Sequence, residues 1–382
     1  MKTLPIVLSV ILLSGVLGFV SPAKDRPRIR EFGILIGILD PGPDNSITDV
    51  KGVKVGHLTL IKGENIRTGV TAVLPHSGNL YQAKVPAAVY VANGYGKLMG
   101  YTQIEELGNM ETPIVLTNTL SVPTAANALI GYTLTQKGNE NVRSVNAVVG
   151  ETNDGYLNDI RGRHVSEADV LQAIQNASGG PVQEGCVGAG TGTTCFRFKG
   201  GIGTASRVLG ENRGGYTIGV LVQTNFGGNL QIKGAPIGQH LRGSFGAAAD
   251  SDPLPDGSCL MIVATDAPLD SRNLKRLAKR TLLGIPRTGG YYSNSSGDYC
   301  IAFSTAESLR IPERPPMHAI GAEVLHNNFM SALFLAAAEA SEEAILNSMF
   351  KAESMIGADG HKVEALPLEK VRDLLKEPVI HE

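Results

Sequence analysis

Ser258 stands at a boundary in the chain. Before it, "SDPLPDG" (251–257) carries two prolines, acidic residues and a glycine, the composition of an exposed and strainable loop; after it, "CLMIVA" (259–264) is apolar throughout and suits only a buried strand. A serine hydroxyl is a weak nucleophile without a base. A serine that begins a chain carries one, its own α-amine, whose ordinary pKa is about 8. The same hydroxyl can create that terminus by attacking the Gly257 carbonyl, giving an ester that water resolves, and glycine at this point offers no Cβ to hinder attack. From these residues alone two readings stand open: a self-cleaving site that leaves a catalytic N-terminal Ser258, or a plain turn before a core strand.

Other chemistries find less support. The eight histidines (57, 76, 164, 240, 318, 326, 361 and 381) never fall at i, i+3 or i, i+4, and neither HExxH nor a clustered Cys/His spacing occurs, so no metal site is expected. There is no GxSxG elbow. "GAGTGTT" (188–194) and "KGGIGTAS" (199–206) have no Walker lysine and no full GxGxxG, and are read as tight turns where the backbone runs close to a neighbour. With 34 basic against 36 acidic residues, a net charge of −2 and no basic stripe interleaved with aromatics, nucleic acid is not an expected partner; a small molecule is.

A serine used in this way must sit at a rigid strand end, and the chain supplies suitable runs. "SITDVKGVKVGHLTL" has Val53 and Val55 alternating with polar positions, and "TGVTAVLPH" and "KVPAAVYVANGYG" read as two further strands. "TPIVLTNTL", "VNAVVGET" and "TIGVLVQTNFGG" are short β-branched runs ending in polar residues, the form of strands buried on both faces. Three helices are expected. "SRNLKRLAKRTLLGIP" has Asp270 or Ser271 as N-cap and Gly284 and Pro286 as stop signals; "NNFMSALFLAAAEASEEAILNSMF" should pack on a sheet; "PLEKVRDLLKE" is amphipathic.

Across 382 residues no repeat and no Pro/Gly/Ser-rich linker divides the mature chain, so residues 24–382 are expected to form one layered α/β domain. Residues 1–23, with Lys2, an apolar run Leu4–Val20, and Ser21 and Ala23, read as a signal peptide for export to the periplasm or medium. An uncleaved anchor is the alternative. Four cysteines make no disulfide framework, although an exported chain could pair Cys186 with Cys195; Cys259 reads as a small buried hydrophobe.

"DGSCLMIVATDAPL" together with "RTGVTAVLPH", "KVPAAVYVANGYGKL", "EELGNMETPIVLTNTLSV", "VVGETNDGYLNDI", "GAGTGTTCFRFKGGIGTASR", "LVQTNFG" and "EALPLEKV" resembles the self-processing aminopeptidases. These include L-aminopeptidase/D-amino-acid esterase-amidases and β-peptidyl aminopeptidases. The resemblance runs from about residue 29 to 376. It implies an αββα-layered fold like that of N-terminal nucleophile hydrolases, a precursor cut between Gly257 and Ser258 into chains 24–257 and 258–382 that stay together, and a homo-oligomer, a tetramer of such heterodimers.

Residue roles carry over from the same likeness. Ser258 resembles the nucleophile, Ser296 the serine that hydrogen-bonds it, Asp298 the acidic residue that holds the terminal amine, and Asn225 the oxyanion asparagine. Glu151 matches the glutamate that meets the substrate ammonium. The pattern departs in two places: some relatives have glutamate where Asp298 stands, one methylene longer, and tyrosine where Asn153 stands. Asn93, Gly94 and Tyr95 are expected to line the pocket. The implied activity is hydrolysis of the N-terminal residue from a peptide, amino-acid amide or ester through an acyl-Ser258 intermediate, with no cofactor. The rival readings are an exported binding protein with an uncut Gly-Ser turn, and an acyltransferase of the ornithine acetyltransferase type.

Overall fold

Two sheets lie face to face, and helices cover the outer side of each. The computed structural model describes residues 26–245, 257–315, 317–318 and 321–376; the expected export segment 1–23 and the loop 251–256 lie outside these residues. Among the described residues nine strands have five residues or more: β1 (Lys54–Lys62), β2 (Ile66–Leu74), β3 (Ala83–Gly94), β4 (Ile114–Asn118), β5 (Val148–Thr152), β6 (Ile202–Val208), β7 (Thr217–Asn225), β8 (Ser258–Thr265) and β9 (Gly297–Ser304). The longer helices are α1 (Tyr101–Leu107), α2 (Val122–Leu134), α3 (Glu167–Gln175), α4 (Ile237–Phe245), α5 (Ser271–Thr281), α6 (Met330–Phe350) and α7 (Leu368–Lys376).

The smaller sheet runs β1-β2-β4-β5 and the larger β3-β9-β8-β7-β6, with two-residue pieces at Asn109–Met110 and Ile311–Pro312 pairing with β3. The β8–β9 and β4–β5 pairs are parallel; the other long pairs are antiparallel. Side chains of period two sort β8 between two cores. Leu260, Ile262 and Ala264 face the other sheet and join Val73, Ile114, Leu116 and Val148, whereas Cys259, Met261 and Val263 join Leu274, Leu277, Ala337 and Ala344 of α5 and α6. Every residue of β8 is buried, which is why the run "CLMIVA" carries no polar alternation. On the far side Val70, Ala72, Val115 and Val149 pack on Ala125 and Leu129 of α2 and Val170 and Ala173 of α3. The molecule thus has the αββα layering expected.

Several elements differ from expectation for visible reasons. The α5 helix starts on Asp270, whose side chain accepts from the Asn273 amide, but the stop signals do not end the helical path: Gly284–Arg287 forms a further turn because Gly284, lacking a Cβ, sits against Ser341 of α6. Helices α1, α2, α3 and α4 were not expected, although Ser166 and Asp169 form a capping box that marks the start of α3. Cys186 and Cys195 do not pair. Both are free thiols; the Cys186 sulfur lies 3.3 Å from the Glu353 amide that donates to it, and Cys195 is buried.

Helix α6 brings three glutamates into the interior, and a buried arginine accounts for two of them. Arg207, fully buried on β6, places its guanidinium between Glu339 (3.2 Å) and Glu343 (2.7 Å) and donates to the carbonyls of Ser206 and Ile36. Glu343 also receives Arg30 and Asn45, and Glu339 receives the Ile38 and Leu39 amides. One cation thereby ties α6, β6 and the segment before β1 together. Arg207→Met should lower unfolding free energy by about 3–5 kcal/mol, because both carboxylates lose a buried partner; chemical denaturation against the unaltered protein measures the loss, and a change under 1 kcal/mol would contradict it.

Candidate active site

Strand register assembles the site at one rim of the two sheets. Asn225, the last residue of β7, lies directly opposite Ser258, the first of β8. Cys259 pairs in parallel with Asp298 on β9, and Gly297 and Asp298 pair with Gly94 and Asn93 at the end of β3, with a bulge after Asp298. On the smaller sheet, Glu151 of β5 pairs with Thr117 of β4. Gln223, two residues before Asn225, bridges the sheets by donating to the Thr117 carbonyl (3.2 Å) and the Thr152 hydroxyl (2.9 Å).

Ser258 is buried, and its Oγ accepts from the Gly297 amide at 3.2 Å. The Asn225 side chain has a fixed sense: Oδ1 accepts from the Thr194 amide at 3.0 Å, which leaves Nδ2 as the donor end. Gly257 allows no substituent, since a Cβ there would overlap the Asn225 carbonyl oxygen and crowd Phe226. The need for glycine is thus steric.

Asp298 is 1% exposed, and neither carboxylate oxygen has a hydrogen-bond partner among the described residues. Burial pushes its carboxyl up to about 6, while the nearby Ser296 hydroxyl and Cys259 amide favour the charged form without reaching hydrogen-bond geometry. In an intact chain the nitrogen of Ser258 is a peptide amide. The Asp298 carboxyl thus lies beside the start of β8 with no cation in contact among the described residues.

A cleft of about 250 Å³ opens beside Ser258, lined by Tyr95, Gly96, Lys97, Thr119, Glu151, Asn153 and Ser295. Glu151 is 2% exposed, and both oxygens are held: Oε1 accepts from the Lys97 amide at 2.8 Å and Oε2 from the Thr119 hydroxyl. Asn153 makes a local turn, its Oδ1 accepting from the Gly155 amide at 2.9 Å. The arrangement offers a nucleophile, an amide donor and an anchored carboxylate around a space sized for a small residue. Among the described residues no three His, Cys, Asp or Glu side chains cluster as metal ligands would.

The structure brings Ser258, Asn225, Ser296, Asp298, Glu151, Asn153 and Tyr95 to this rim, but not every expected pocket residue lines it. Asn93 does not face the cleft: its amide donates to the carbonyls of Ser293, Asn294 and Ser296 and so fastens the turn before β9. Gly94 likewise serves the β3–β9 pairing. Groups that sequence reasoning missed are chiefly backbone donors, the amides of Gly297, Lys97 and Thr194, together with the Thr119 hydroxyl. Of these only Thr119, in the polar end of "TPIVLTNTL", left a trace in the sequence.

Residues 45–363 match the family described as Peptidase family S58. A β-peptidyl aminopeptidase BapA of Sphingosinicella microcystinivorans is 40% identical over 97% of this chain and 96% of its own length. A β-aminopeptidase of Burkholderia sp. superposes with a TM-score of 0.86 at 42% identity, covering 93% of this chain and all of that one. The L-aminopeptidase D-Ala-esterase/amidase of Ochrobactrum anthropi, described as a prototype serine aminopeptidase and a variant of the Ntn hydrolase fold, gives 0.84 at 40% identity, covering 92% and 98%.

The state of Asp298 in the uncut chain can be tested through stability. Its folded pKa of about 6 exceeds the ~3.9 of an unfolded aspartate, so its contribution to stability is fully present below about pH 4 and is lost as pH rises through 6. In a Ser258→Ala background, Asp298→Asn should therefore stabilise by about 3 kcal/mol at pH 7.5 relative to its effect at pH 4. Urea titrations at the two pH values decide; a pH-independent difference would refute the assignment.

Proposed function

The chain belongs to peptidase family S58 and is an aminopeptidase of the Ntn hydrolase fold, and from this premise we propose that it cuts itself between Gly257 and Ser258 and then works through the freed Ser258. Neither a binding protein with an uncut turn nor an acyltransferase is favoured by its relatives. The observation that carries the proposal is the juxtaposition of Ser258, paired opposite Asn225, with a buried Asp298 that has no hydrogen-bond partner among the described residues.

In the uncut chain Ser258 Oγ attacks the Gly257 carbonyl carbon; the peptide nitrogen takes a proton and leaves, and water hydrolyses the resulting ester. The new ammonium then meets the Asp298 carboxylate, with Ser296 beside it. Catalysis repeats the geometry on a substrate. The ammonium gives up a proton to solvent near its ordinary pKa of about 8, and the neutral α-amine of Ser258 then accepts the Oγ proton as Oγ attacks the scissile carbonyl, and returns it to the leaving nitrogen. The Asn225 Nδ2 stabilises the oxyanion, and water releases the acyl group from Ser258.

Glu151 suits the substrate ammonium because the Lys97 amide and Thr119 hydroxyl fix its carboxyl group at the cleft wall. Tyr95 and Asn153 border the acyl side, and the volume of about 250 Å³ supports small N-terminal residues of peptides, amides or esters. Assembly as a homo-oligomer of processed heterodimers rests on family resemblance, and export to the periplasm or medium on the composition of residues 1–23.

Two experiments bear on this reading. Intact mass of the purified protein should show two chains parted at Gly257/Ser258, whereas Ser258→Ala and Gly257→Ala should each give one uncut, inactive chain; processing of Ser258→Ala at a normal rate would refute the mechanism. With p-nitroanilides, alanine should be released at least 100-fold faster than N-acetylalanine, which leaves Glu151 buried and unpaired, and Asn225→Ala should lower kcat by about 10²–10³. Comparable turnover of the blocked substrate would remove Glu151 from its role.

A further inference from the structure

Lys199 is the most completely buried lysine of the described chain, and nothing in the mechanism above uses it. Its side chain is inaccessible to solvent, and its ammonium donates to three carbonyls, those of Gly190 (3.1 Å), Thr193 (2.8 Å) and Gly200 (2.9 Å). Three donors meet three acceptors, so the cation is saturated without a carboxylate in contact. Burial lowers its proton affinity, and Cys186, Asp154 and Cys195 nearby oppose that.

The carbonyls it gathers belong to the segment that orients Asn225. Thr193 is followed by Thr194, whose amide holds Asn225 Oδ1 at 3.0 Å. Thr194 and Lys199 are themselves a pair in a short hairpin, Thr194–Cys195 against Phe198–Lys199. The turn of that hairpin is strained, since Phe196 and Arg197 both have positive φ (52° and 68°), where glycine or asparagine is the usual occupant. Strain of this kind persists only when the surroundings fix it from several sides. Here the Phe196 amide donates to the Phe226 carbonyl at 2.8 Å, the two rings pack edge to face at 5.0 Å, and Lys199 draws the other end of the hairpin onto the 190–193 turn. Phe226 directly follows Asn225.

We propose that Lys199 is a positioning residue for the oxyanion donor: by holding the Gly190 and Thr193 carbonyls it keeps the Thr194 amide on Asn225 Oδ1, and so keeps Asn225 Nδ2 turned toward the Ser258 reaction centre. An asparagine amide freed from Thr194 can rotate by 180° and offer an acceptor to the oxyanion, which repels where it should bind. The inference rests on the reading of Asn225 as oxyanion donor given above.

The test is a double-mutant cycle on the processed enzyme, with kcat expressed per site titrated by a serine-reactive phosphonate and scission rate by intact mass as a second readout. Lys199→Met should lower kcat at least 10-fold with KM changed less than about 2-fold; because kcat is counted per titrated site, loss of folded protein does not produce that drop. In an Asn225→Ala background the same substitution should cost less than about 2-fold. If the two losses multiply, Lys199 does not act through Asn225 and the inference falls, while the reading of Asn225 stands. If Asn225→Ala alone leaves kcat intact, the oxyanion reading fails and this inference with it. Should Lys199→Met not fold, hydrogen exchange on the unaltered protein decides: the Thr194 amide should exchange at least 100-fold more slowly than an exposed amide, and exchange at the exposed rate overturns the inference.

Discussion

The register of β8 between β7 and β9 is the constraint on which the site depends. Because strand side chains alternate, a slip of one residue would exchange the two faces of β8, sending Leu260 and Ile262 into the helix layer and Cys259 and Met261 between the sheets. It would also part Asn225 from Ser258 and Cys259 from Asp298. The cores therefore enforce the site. At Gly150 an added Cβ would come within 2.8 Å of Leu260, so the inter-sheet contact that locks β8 sits close to Glu151. Packing and chemistry share the same few residues here.

Electrostatics in the rim are arranged around two carboxylates with opposite circumstances. Glu151 is buried with both oxygens held, one by a backbone amide and one by a hydroxyl, so its carboxyl is fixed in place at the cleft wall. Asp298 is buried with no hydrogen-bond partner among the described residues, and burial raises its proton affinity. The first fits a visitor that carries its charge with it. The second fits a charge that the chain makes for itself, and on this view the uncut fold carries an unfavourable group that scission relieves.

Much of the architecture was legible in the residues and much of the site was not. The β-branched runs at 217–225 and 258–265 could hardly be anything but buried strands, and the helices over 271–281, 330–350 and 368–376 follow apolar spacing and caps. Helix α2 escaped notice because it holds Pro123 in its first turn and Gly131 within it, and its apolar residues do not gather on one stripe. The proposed nucleophile was visible as a chemical anomaly, a serine between a loop and a core run, but its proposed partners were named by resemblance alone. Backbone donors such as the Gly297 amide leave no mark in a sequence, since every residue but proline has one. Asn93 shows the converse: an asparagine and glycines at a strand end resemble a pocket, yet the amide is consumed by three carbonyls of a neighbouring turn.

Strand order also bears on what a severed backbone could do next. The residues after Ser258 contribute β8 and β9, which lie side by side in the middle of the larger sheet, flanked by β7 on one edge and β3 on the other, both from before Gly257. The two polypeptides would be interleaved, so neither can depart without tearing open the central hydrogen-bond ladder. Once fully unfolded they would have to find each other again by a bimolecular encounter, and recovery would depend on concentration where that of the single precursor does not. Longevity of the cut form is then a matter of barrier height, with the order of strands acting as a one-way latch.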